Sequence, residues 1–128
     1  MSEPSLHAKV RAYHPTAHPH QVTTKLGLEP SRIILSGSPS HVPELGPVPE
    51  SGWFLDLDGS AAESIWGFVE MILERFERRA RAMAALREDG WVFDLVVGPA
   101  ELVSLDETPD TVRDLAERIP LPLLRSVF

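Results

Sequence analysis

The chain has 128 residues, 43% of them hydrophobic, which suits one domain with a single core and is too short for two of ordinary size. Its 12 basic and 19 acidic residues leave a formal charge of -7, which repels a phosphate backbone and argues against nucleic-acid binding. There is no cysteine, so a disulfide framework, a thiolate metal site and a cysteine nucleophile are all excluded.

The opening MSEPSLHAKV has no apolar leader region, and no later segment approaches the 18 or so uncharged apolar residues of a membrane span. A soluble, cytoplasmic protein is the expectation. Residues 6 to 13, LHAKVRAY, alternate Leu6, Ala8, Val10 and Ala12 with His7, Lys9, Arg11 and Tyr13, the period-2 pattern of a strand with one face in the core. A short helix follows: Pro19 suits its first turn, Val22 and Leu26 lie one turn apart, and Gly27 can take a left-handed cap before Pro30 stops it. Residues 31 to 36, SRIILS, read as a second strand. Residues 37 to 52 form a long Gly-, Pro- and Ser-rich loop, a candidate lid or partner-binding loop whose plainer reading is disorder.

WFLDLD, residues 53 to 58, reads as a third strand, and Ser60-Ala61-Ala62-Glu63 as a capping box opening a long helix that runs to Glu88. Ile65, Val69, Ile72, Phe76, Ala80, Met83 and Leu86 make its continuous apolar stripe. On the opposite side Glu74 with Arg78 and Glu77 with Arg81 have the spacing of helical ion pairs, so the arginine cluster reads as a solvated face. After Gly90, residues 91 to 98 form an apolar strand, with ELVSL (101 to 105) expected to pair with it as a hairpin. Thr108 is placed as the cap of a last helix, with Val112, Leu115, Ala116 and Ile119 on its buried face, followed by a strand around 122 to 127. Hairpins mixed with helical crossovers predict an α+β fold: a largely antiparallel sheet with helices packed on one face, the ferredoxin-like sandwich being the nearest simple model.

The run Leu26-Gly27-Leu28-Glu29-Pro30-Ser31 after a short helix resembles the signature of the bacterial family of domain of unknown function 4279. Gly37 after the second strand, Trp53 opening the third, the long amphipathic helix and a closing strand-helix-strand segment are further points of similarity. The resemblance implies a bacterial α+β domain and brings no catalytic residues with it.

Three groups of residues are candidates for function. Asp56 and Asp58 in LDLDG match the start of a dehalogenase-type phosphotransferase site, where one carboxylate attacks phosphorus and the other moves a proton. Such a site also needs a downstream lysine, yet Lys9 and Lys25, the only lysines, both lie upstream. The local reading, a strand end followed by a helix start, is preferred. His14, His18 and His20 could hold zinc or copper if the chain curled around one ion, but His18 and His20, two apart, point in different directions. His41 in the loop reads as solvated, and no cofactor is called for.

The third group is the sheet face turned away from the helices. If Leu6, Ala8, Val10 and Ala12 face inward, then His7, Lys9, Arg11 and Tyr13 project outward, joined by Phe54, Asp56, Asp58 and Asp94. A helix-free face carrying both charge signs and two aromatics could bind a peptide, a small anion or a partner protein. The plainer reading is cross-strand charge pairing on a wet surface. A non-catalytic interaction domain, accessory or immunity-type, is therefore preferred over a small magnesium-dependent phosphohydrolase or a histidine metal binder. Open sheet edges make a homodimer plausible.

Overall fold

The computed structural model describes residues 6–40, 42–99, 103–119 and 121–125. Five strands, β1 (His7–His14), β2 (Arg32–Ile34), β3 (Ser51–Asp58), β4 (Val92–Gly98) and β5 (Leu123–Arg125), form one sheet in the order β2-β3-β1-β4-β5. Every neighbouring pair is antiparallel except β4 and β5, which are parallel. Among the described residues there are four α-helices, α1 (His20–Leu26), α2 (Ile65–Glu77), α3 (Ala80–Glu88) and α4 (Asp110–Arg118). The α+β class and the mostly antiparallel sheet agree with the sequence pattern.

The core explains why the helices lie on one side. Ala8, Val10 and Ala12 of β1, Trp53 of β3 and Phe93, Leu95 and Val97 of β4 are buried in one cluster with side chains from all four helices. The period-2 alternation of β1 thus separates an apolar inner face from an outer face bearing His7, Lys9, Arg11 and Tyr13. Each large apolar side chain withdrawn from water, such as Val69, Ile72 or Phe76 of α2, contributes about 1.5–3 kcal/mol. Two indoles fasten α1 to the sheet layer: Trp53 Nε1 donates to Thr23 Oγ1 at 3.1 Å, and Trp91 Nε1 donates to Gln21 Oε1 at 2.8 Å. Gly27 ends α1 with φ 67° and ψ 31°, the left-handed cap the sequence asks for.

Several expectations are corrected. The strand order is not that of a ferredoxin-like sandwich, since β1 pairs antiparallel with both neighbours and the single parallel pair is β4–β5. The hairpin after β4 does not form among the described residues: Val103 and Ser104 are irregular and Leu105–Glu107 make a 3-10 turn, while Glu101 and Leu102 lie outside them. With β1 on one edge of β4 and β5 on the other, no edge remains for a hairpin partner.

The expected long helix is two helices. Its N-cap is Ser64, whose hydroxyl accepts from the Gly67 amide, so Ser60 and Glu63 precede the helix and form no capping box. Its break falls at Arg78–Arg79, where Arg79 Nε donates to the Leu26 carbonyl at 2.8 Å and its Nη1 to the Arg75 carbonyl at 2.9 Å. One guanidinium thereby satisfies terminal carbonyls of both α1 and α2, and the chain can re-aim without stranding them. Neither Glu74–Arg78 nor Glu77–Arg81 pairs among the described residues; Glu77 meets Arg118 of α4 at 3.0 Å. Thr108 caps nothing, because its hydroxyl donates to the Leu105 carbonyl and Pro109 occupies the cap position of α4.

The expected 37–52 loop carries regular backbone contacts among its described residues. β3 begins at Ser51, Gly37 and Ser38 exchange backbone hydrogen bonds with Val48, and Pro39 bridges Pro47. His41 lies outside the described residues, as do 126 to 128 of the last expected strand.

Candidate functional site

On the outer sheet face, register brings the sequence-predicted residues together. Arg11 stands opposite Phe54 on one side and Asp94 on the other, and Lys9 stands opposite Asp56. Arg11 grips Asp94 with two charge-assisted bonds, Nε to Oδ1 at 2.6 Å and Nη2 to Oδ2 at 2.8 Å, in the bidentate geometry favoured by guanidinium and carboxylate. The hydrogen bond to Asp94 raises the Arg11 pKa above its ordinary value, so this cation is permanent. Beside it, Phe54 is only 5% exposed although it points away from the core. Its ring lies over Gly52, where a Cβ would come within 2.7 Å, with Tyr13 edge-on at 5.6 Å and the Arg32 guanidinium 4.9 Å above it. Burial is the main cause that raises the Tyr13 phenol above its usual range.

Arg11 and Asp94 satisfy each other, Tyr13, Phe54 and Arg32 stack alongside, and Lys9 reaches Asp56 at 3.7 Å across exposed surface. His7 sits exposed at the end of β1, opposite Asp58.

Asp56 and Asp58 project from the outer side of β3, which lies between β2 and β1 with antiparallel neighbours on both sides. That setting differs from the strand end of a parallel, doubly wound sheet that in-line phosphoryl transfer sites use. Asp58 accepts the Ser60 amide at 2.9 Å and the Ser60 hydroxyl at 3.1 Å, bonds that hold its carboxyl below the usual range. The carboxylate therefore organises the turn after β3.

Two of the three clustered histidines make local hydrogen bonds. His14 Nδ1 accepts from the amides of Thr16 at 3.0 Å and Ala17 at 2.8 Å, which leaves Nε2 to donate to the Asp89 carbonyl at 2.8 Å. Both ring nitrogens are thus occupied, and the ring rests on Trp91 at 5.1 Å. His18 Nδ1 accepts from the His20 amide. Among the described residues no three His, Cys, Asp or Glu side chains converge as a metal site.

A different site was missed in the sequence. α1 packs on α3 and α2 on α4, and between α4 and the C-terminal end of α3 a cleft of about 720 Å³ remains. Its apolar lining includes Trp91 and Phe93 of the β4 segment, Val112 of α4, and Ile119 and Leu121 from the connection into β5. Those five are core residues exposing at most 2% each and form the floor, while Val92 and Leu105 are the exposed apolar side chains of the cleft. Gly90, at φ 105°, makes the turn from α3 that brings Trp91 there. Arg87, Arg113 and Glu117 also line the cleft, and all three are exposed.

The sequence did hold a trace of it. Val112, Ala116 and Ile119 share one face of α4, and the small Ala116 lies midway along that face, where a larger side chain would add bulk toward the cleft. No family model, no curated protein and no solved structure matches this chain.

Proposed function

We propose that this protein is a non-catalytic binding domain that takes a small, largely apolar molecule into the cleft between α3 and α4. The observation that carries this reading is the cleft itself, whose 720 Å³ falls within the roughly 300–1,000 Å³ of small-molecule sites and whose inner wall is apolar. Two polar groups of the lining are already committed: the Trp91 indole N–H to Gln21 and the Thr108 hydroxyl to Leu105. Shape and desolvation, with little directional hydrogen bonding, therefore select the ligand body.

The neutral bicyclic probe 2-naphthol tests this. A ligand that binds the folded state alone, at tenfold its dissociation constant, stabilises it by about 1.4 kcal/mol. The melting temperature of the wild-type protein should rise accordingly, and Ala116→Trp, which fills the cleft, should abolish the rise. Equal shifts in both proteins would refute the cleft as the site.

The outer sheet face is the second reading, as a surface for a partner protein or a second copy of the chain. Leu124, 41% exposed, supports it, as does the packing of all four described helices against the inner face. The phosphohydrolase alternative draws no support from Asp56 and Asp58, which are engaged by Lys9 and Ser60. Membership of the family of domain of unknown function 4279 and a cytoplasmic location stay proposals. The left-handed Gly27 and the absence of cysteine are what speak for them.

A further inference from the structure

The cleft's charges specify its ligand further. In a chain of net charge -7, two arginines and one glutamate stand among its lining residues. Arg113 is partly committed, with Nη1 3.7 Å from Asp110 and Nη2 donating to the Thr108 carbonyl at 3.4 Å. The Arg87 guanidinium makes no ion pair or hydrogen bond among the described residues. Arg87 closes the last turn of α3, where a cation also complements the helix dipole, a structural duty that leaves its donors open to a ligand. Glu117, on the α4 side, opposes any second negative charge.

We propose that the ligand is an amphipathic monoanion, a carboxylate on an aromatic or branched hydrocarbon body, with the body in the cleft and the carboxylate at Arg87. This rests on the cleft reading above and adds to it the charge of the ligand and the residue that reads it. Guanidinium suits a planar carboxylate because it offers parallel donors in a fixed fork. Because Arg87 is exposed, the charge contribution is modest and sets preference more than affinity.

The test titrates the full chain with three probes of one shape, 2-naphthoate, 2-naphthol and 2-naphthylmethylammonium, by calorimetry at low ionic strength. Naphthoate should bind about two- to fivefold tighter than naphthol, and the ammonium more weakly than either, the spread of a surface ion pair. In Arg87→Ala the naphthoate and naphthol affinities should converge, and Arg87→Lys should restore part of the preference. Added salt should narrow the gap. Equal binding of naphthoate and naphthol to the wild type would overturn the anion assignment and leave the cleft standing. A preference that survives Arg87→Ala would overturn Arg87 as the reader. If none of the three probes binds, the cleft reading falls with it.

Discussion

The outer sheet face and the cleft under α4 are opposites in chemistry and in what they leave unsatisfied. The face carries charges and aromatics, the residue types that announce function, yet Arg11 is clamped to Asp94, Phe54 meets Tyr13 edge-on and Arg32 over its ring, and Asp58 is bound to Ser60. The cleft has ordinary core residues in its wall, yet it holds room that no described residue fills. Polar residues on the face meet one another across the strands, whereas apolar residues along the cleft face a gap with no packing partner among the described residues.

Substitutions sharpen that contrast. Removing the ring of Phe54 should be the costliest change on the face, about 3 kcal/mol in a denaturant titration, because Phe54→Ala opens a void over Gly52. A cost below about 0.5 kcal/mol would mean the face is not sealed and is available for a partner. Asp94→Ala strands the Arg11 guanidinium, which is 31% exposed in its side chain against 17% for Asp94, and should cost about 1–3 kcal/mol by the same measurement.

Tyr13 gives a pH-dependent readout, and as the only tyrosine it can be followed by tyrosinate absorbance. Its phenol is raised, chiefly by burial, so its contribution to stability is complete below the unfolded value of about 10 and is lost as pH rises through the higher folded value. Phe54→Ala, by uncovering the ring, should return the titration toward the ordinary range. Asp58 runs the other way: its lowered carboxyl favours the fold above the ordinary carboxylate range, and that contribution fades as pH falls through the folded value. Ser60→Ala should move the Asp58 titration upward in carbon-detected NMR. The smallest effects belong to Lys9→Ala and Arg87→Ala, each within about 0.5 kcal/mol of wild type, since both side chains are solvated.

The sequence makes the sheet face legible because strand periodicity is local: Ala8, Val10 and Ala12 had to share a side, and His7, Lys9, Arg11, Tyr13 and Asp94 the other. The α1 cap at Gly27 and the apolar stripe from Val69 to Leu86 were readable for the same reason. Features set by distant contacts were not. The split at Arg79 depends on the Leu26 carbonyl 53 positions away, and the parallel seat of β5 beside β4 depends on which sheet edge stays open. The role of His14 depends on Asp89, 75 positions along the chain. The cleft was hidden most completely, because a residue lining a gap and a residue filling a core obey one apolar pattern.

Amide NMR spectra of the full chain, recorded while 2-naphthol is added, address the contrast between the two regions most directly. Saturable shifts should gather at Trp91, Phe93, Val112 and Ala116, while Arg11, Tyr13 and Phe54 stay still. Shifts concentrated at Arg11, Tyr13 and Phe54 would place binding on the sheet face and contradict the assignment of the cleft.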